Sequence, residues 1–214
     1  MGCEVYGYTP EEARAVLASK AFRHFRDPAA ARAILALQLG TGGRVHEVLA
    51  LKCGDIFERG LKVKPRLWYK KTKNGERRSV DLPAGVIPYL AKWGDVLARR
   101  GMLLRPLLLF TRENGAAISR YTVYRIYQAA NRELGLKHRG THSARKAWAM
   151  AQYEYWTKRR NSGDPVDPLV MVQRLGGWKD VNSCARYIGI HRFDSIDGQK
   201  HIDDVFFAAQ NLTS

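Results

Sequence analysis

The spacing of apolar residues along the chain changes twice, from a helical period to an alternating one and back. Thr9, Pro10 and Glu12 make a capping box with proline at the first helical position, which predicts a helix over 10–25. Asp27-Pro28 repeats the start signal ahead of "PAAARAILALQLG", an Ala- and Leu-rich run that reads as a well-buried helix stopped by Gly40 and the following "TGG". Val45, Val48, Leu49 and Leu51 mark a further short helix. Between residues 55 and 82 the pattern alternates. "GLKVKPRLWYKKT" and "RRSVDL" are two strand candidates, and Asn74-Gly75 between them is the strongest short-range hairpin signal.

From residue 84 the helical pattern returns. "MLLRPLLLFTRENG" interrupts it, and "SRYTVYRIYQAANREL", "THSARKAWAMAQYEYW" and a last amphipathic stretch over 201–212 continue it. "TKRRNSGDPVDP", residues 157–168, is rich in charge, Gly and Pro and reads as a loop insertion between two helices. The expected fold class is mainly α with a small antiparallel β-sheet, an α+β arrangement in one unit over 1–214. Residues 1–25 would hold a leading helix and 191–214 a tail helix.

Charge changes the picture more than composition does. Thirty-six Lys and Arg against 20 Asp and Glu give a net charge of +16, which points to a polyanion and first of all to nucleic acid. Cys3, Cys53 and Cys184 are odd in number and widely spaced, so neither a disulfide framework nor a zinc site is indicated. No cofactor or metal is expected. The chain has no basic segment followed by an apolar run at its start and no membrane-spanning length of apolar residues. A soluble protein of the cytoplasm, associated with the nucleoid, is the expectation.

Four places carry residues suited to phosphate chemistry. Arg44 follows the "GTGG" break and opens a helix, with Glu47 one turn on to hold its guanidinium. Lys73 immediately precedes the Asn-Gly turn, at the tip of a ribbon narrow enough for a DNA groove. In "THSARKAW", His142 and Arg145 lie three apart on one helical face, with Thr141 as the expected N-cap. Tyr187 ends "GWKDVNSCARYI", nine residues after Trp178. Taken singly, each reads equally as a surface cation, a solvated turn, a chance pair or a core aromatic.

In this order the segments resemble the catalytic domain of the tyrosine recombinases, the phage integrase family. "TGGRVHEVLALKCGDI" is similar to that family's first arginine box, "KTKNGERRSVDL" to its lysine hairpin, "THSARKAWA" to its His-x-x-Arg box, and "LGGWKDVNSCARYI" to the segment ending in its nucleophile. The resemblance implies that Arg44 and Arg145 clamp a scissile phosphate, that His142 hydrogen-bonds it or helps take a proton, and that Lys73 is the general acid. Tyr187 would attack, giving a 3′-phosphotyrosyl link, with Glu47 organising the site. Trp178 stands where many members have His, and its indole donates a hydrogen bond but accepts no proton.

It further implies a site-specific DNA recombinase on double-stranded DNA with recombination sites, assembled as a homotetramer through the tail helix, with Ile202, Val205, Phe206 and Ala209 on its apolar side. The helical DNA-binding domain that usually precedes this one is expected to be absent. A basic DNA-binding regulator without catalysis is the alternative, as is an enzyme like a telomere resolvase or type IB topoisomerase. Two departures are "SAR" in place of the frequent Asp-Leu-Arg and a longer interval from Arg145 to Trp178.

Overall fold

The structure, a computed structural model, describes residues 6–58, 61–69, 77–103 and 106–189. Helix α1 (Pro10–Ala18) starts as its capping box requires: the Thr9 hydroxyl accepts from the Glu12 N–H at 3.2 Å, and the Glu12 carboxylate accepts from the Thr9 N–H at 3.0 Å. It does not run to residue 25. Ser19 ends it, and Lys20–His24 form a 3-10 turn whose amides at Lys20 and Ala21 donate to the Glu133 carboxylate at 3.2 and 2.8 Å. A carboxylate from a distant helix satisfies the new helix start, so the break is tertiary in origin.

Helix α2 (Pro28–Thr41) buries Ala30, Ala31, Ala33, Ile34, Leu35, Ala36 and Leu37, which leaves it almost no solvent face. It is the axis of the main core, with α5 (Ile87–Arg99) and α7 (Ser143–Asn161) packed against it. Asp27 gives α2 no side-chain cap, because its carboxylate pairs with Arg100 after α5 at 2.6 Å. The helix passes Gly40 by one residue and stops where Gly42 turns left-handed at φ 62°. A Cβ there would sit 2.3 Å from the Trp148 ring, so only glycine fits.

Two short helices, α3 (Val45–Leu49) and α4 (Cys53–Ile56), lead to the sheet. Strands β1 (Arg66–Tyr69) and β2 (Arg78–Asp81) pair antiparallel, with Leu67 opposite Val80 and Tyr69 opposite Arg78. The period of two turns Leu67 and Tyr69 inward, where both are buried. The expected Asn74-Gly75 turn and Lys73 lie outside the described residues, as do 1–5 and the expected tail helix.

Helix α6 (Arg120–Glu133) lays Val123, Ile126, Tyr127 and Ala130 on the main core. Helix α7 then bridges two clusters. Its Ala144 belongs to the main core, while Trp148 and Ala149 join Val172 of α8 (Pro168–Gly176) with Cys184 and Ile188 of α9 (Val181–Ile188). Part of the expected loop is helical, since α7 continues to Asn161 with Lys158, Arg159 and Arg160 in its last turn. Cations there face the negative end of the helix dipole, which makes a charged run compatible with helix. The connection shrinks to 162–167, and the Asp167 carboxylate accepts from the Val170 N–H at 2.9 Å to start α8.

The fold is mainly α with a small antiparallel sheet, as expected. Cys53 and Cys184 are buried thiols in different clusters. Among the described residues no helix is long and apolar enough to cross a membrane.

Candidate active site

Two helix C-termini face each other across the junction of the two clusters, and arginines fill the space between their last carbonyls. From α8, the carbonyls of Leu175, Gly176 and Gly177 accept from Arg78 at 3.1 Å, Arg145 at 2.6 Å and Arg44 at 3.2 Å, in that order. From α2, the Thr41 carbonyl accepts from Arg78 at 3.3 Å and the Gly42 carbonyl accepts from Arg145. A helix end leaves its last carbonyls without intrahelical partners, and the dipole makes that end partly negative. The guanidiniums satisfy both demands and tie α2, α3, β2, α7 and α8 together. Glycine at 176 makes room for the Trp178 ring that Arg145 covers, because a Cβ would meet that ring at 1.7 Å.

Glu47 is the anion at the centre of this cationic group. It accepts from Arg44 at 2.9 Å and from Arg78 at 3.0 Å, and one of its oxygens also accepts from the Arg44 backbone N–H at 2.8 Å. Burial alone would raise its carboxyl, but Arg78, that N–H and the Arg44 charge together hold it below the ordinary value. Arg78 additionally lies over the Tyr69 ring at 4.3 Å, and the Tyr69 hydroxyl is 2.6 Å from that of Thr41.

Arg145 is held differently. Its hydrogen bonds go to neutral carbonyls, and only 2% of the residue is exposed. Burial first, and then the neighbouring Arg44 charge, bring its guanidinium down to about 10, so it stays protonated at neutral pH. Among the described residues no carboxylate forms an ion pair with it. Arg44 is half-buried and has its carboxylate partner in Glu47, yet both arginines reach one pocket of about 420 Å³. Val45, His46, Arg120, Tyr121 and Tyr124 form its outer wall, and Gln38, Thr141 and His142 complete it.

Tyr187, on α9, stands at the edge of this group. Its hydroxyl lies 3.5 Å from His142 Nδ1 and 3.4 Å from the His142 carbonyl, to which it donates. Trp178 packs on its ring at 5.2 Å between centroids, and Trp178 is itself stacked on Trp148 and covered by Arg145 at 4.1 Å. Burial pushes the Tyr187 phenol up to about 12 against the opposing pull of Arg145 and Arg44. His142 is held below the ordinary imidazole value, by desolvation first and then by Arg145, Arg44 and Lys146. At pH 7 the pair is a neutral phenol beside a neutral imidazole.

Of the residues singled out in the sequence, Arg44, Glu47, His142, Arg145, Trp178 and Tyr187 come together here, whereas Lys73 lies outside the described residues. Thr141 is not the cap of α7. His142 takes that position with helical backbone angles, and the Ser143 hydroxyl accepts from the Gly140 N–H at 2.9 Å. Sequence reasoning passed over Arg78, although the alternation Arg78-x-Val80-x-Leu82 already puts it on the inward face of β2. It also passed over His46, Arg120, Tyr121 and Tyr124. Tyr121 and Tyr124 are exposed large aromatics on the first two turns of α6, a signal that needs the fold before it can be linked to Arg44.

The profile of the phage integrase family matches residues 9–192. Among solved structures, the chain is similar to XerA recombinase, with a TM-score of 0.66 and 19% identity over 96% of this chain and 66% of that one. It is also similar to the XerH site-specific recombinase bound to difH substrate in a pre-cleavage complex, with a TM-score of 0.64 and 24% identity over 92% of this chain. A lambda integrase dimer bound to a COC′ core site gives a TM-score of 0.62 and 18% identity over 91% of this chain. This chain spans about half the length of the XerH and lambda integrase chains, at 53% and 51%. No curated protein matches the sequence.

Proposed function

The chain belongs to the phage integrase family, and from that premise we propose that it breaks and rejoins DNA strands as a site-specific recombinase, with Tyr187 as its nucleophile. One observation carries the reading: Arg44, Arg145 and His142 line a single pocket, and the Tyr187 hydroxyl lies within 3.5 Å of His142. A phosphodiester in that pocket meets two guanidiniums, one of them without a carboxylate partner among the described residues to compete for it.

The phenol oxygen attacks phosphorus, forming the Tyr187 Oη–P bond as the P–O5′ bond breaks. The phenol proton passes to the His142 side of the site, and Lys73 supplies a proton to the departing 5′ oxygen. The products are a 3′-phosphotyrosyl enzyme and a 5′-hydroxyl strand. Because the link preserves the phosphodiester bond energy, a 5′-hydroxyl from a partner strand reverses the step on the new strand. Trp178 holds the attacking ring, and Glu47 with Arg78 holds Arg44. Exchange between two double-stranded sites requires four copies of the chain, and a homotetramer is part of the proposal.

A pool of duplexes with randomised cores, each nicked so that the fragment bearing the 5′-hydroxyl diffuses away, tests the reading. Wild-type protein is expected to form a denaturant-resistant DNA adduct, and Tyr187→Phe none. An adduct that persists in Tyr187→Phe would assign the nucleophile elsewhere. DNA retention with no adduct at all would favour a binding protein without catalysis.

A further inference from the structure

The Tyr187 ring has a second cation over it that takes no part in the pocket. Lys146 places its Nζ 5.5 Å from the ring centroid, inside the range in which an ammonium is attracted to an aromatic face. Among the described residues, the other groups facing this phenol are Arg145 on α7, with its guanidinium 6.0 Å from the same ring, His142 at the start of α7 and Arg44 ahead of α3, and Tyr187 in turn acts on the Tyr127 phenol on α6. Arg44, His142 and Arg145 line the pocket, whereas Lys146 is absent from its wall.

We propose that Lys146 is a positioning residue for Tyr187, its ammonium holding the ring and favouring the phenolate at the moment of attack. The inference rests on the reading of Tyr187 as nucleophile. Its physical basis is a division of labour among the cations. A phosphodiester bound between Arg44 and Arg145 carries a negative charge, which offsets their field at the phenol just when ionisation is needed. Lys146 lies over the ring and outside the pocket wall, so a phosphate bound there would not pair with it.

Backbone passes close behind the stem of Lys146. The segment at residues 6–8 runs along the start of α7, with the Tyr8 N–H donating to the Ser143 carbonyl at 3.4 Å and the Tyr6 N–H to the His138 carbonyl at 3.0 Å. It approaches so closely that a Cβ on Gly7 would lie 3.1 Å from the Lys146 Cβ. That wall limits where the side chain can go.

A fluorinated tyrosine at position 187, acidified enough to titrate while the chain is folded, reports the effect by 19F NMR with and without inorganic phosphate as the probe for the clamp. Lys146→Met and Lys146→Gln are expected to raise the titration midpoint by roughly half a pH unit. Phosphate should widen that difference, and Lys146→Arg should restore the wild-type midpoint. A midpoint that ignores both neutral variants in the folded chain overturns the inference. The two readings fail separately. If the midpoint moves but Tyr187→Phe still forms the DNA adduct, the nucleophile assignment is wrong. If the adduct depends on Tyr187 and the midpoint ignores Lys146, only the role of Lys146 falls.

Discussion

Replacing Glu47 by glutamine removes one charge, keeps the side-chain shape, and leaves two arginines facing each other. The Glu47 and Arg78 side chains are 2% and 7% exposed, so solvent cannot take over the lost interaction at Arg78. Removing one member of a buried pair costs about 3–5 kcal/mol. The lower end applies, because Arg44 keeps 24% side-chain exposure and can turn toward water, while Arg78 keeps the Thr41 and Leu175 carbonyls. A loss of about 3 kcal/mol lowers Tm by roughly 6–12 °C in a domain of this size.

The control is a cycle with Arg78→Met. Arg78→Met leaves Glu47 paired with Arg44 and removes the buried cation that Glu47→Gln would strand, so Glu47→Gln with Arg78→Met should be less destabilising than the sum, by roughly 1–2 kcal/mol. Urea and thermal unfolding followed by circular dichroism measure all four proteins. The pH dependence has a definite sign. A carboxyl whose folded value is depressed adds stability above its unfolded value and loses it as pH falls through the folded one. The gap between wild type and Glu47→Gln is therefore full at neutral pH and closes below about pH 4. A Glu47→Gln protein within about 1 kcal/mol of wild type at pH 7 would refute the reasoning, as would strict additivity in the cycle.

Two further outcomes are expected. With the Tyr187 phenol pushed up to about 12 and His142 held below the ordinary imidazole range, the rate of adduct formation should rise as His142 loses its proton and flatten by about pH 7; His142→Asn should lose this rising limb, and an identical profile in that variant would remove His142 from the proton path. Gly42→Ala places a Cβ against the Trp148 ring at a positive φ, and urea unfolding should report a loss of about 2 kcal/mol or more; an unchanged midpoint would mean that this turn is free to open.

What the sequence determined by itself is local. The Thr9–Glu12 capping box, the left-handed glycine after α2, the alternation around Leu67 and Tyr69, and the helical periods of α6 and α7 all depend on near neighbours, and each of these elements formed. The ordered boxes around Arg44, His142, Arg145 and Tyr187 also pointed to residues that the fold brings together, because residue types at fixed spacing are legible without coordinates. Tertiary structure decided what depends on distant backbone. Glu133 breaks the first helix at Ser19, a contact no local pattern encodes. The three arginines are positioned by carbonyls of α2 and α8, and every residue carries a carbonyl, so no residue type marks these acceptors. Arg78 and Lys146 gained their places the same way, one from a cross-strand register and a helix end, the other beside a ring 41 positions away whose centroid lies 5.5 Å from its ammonium.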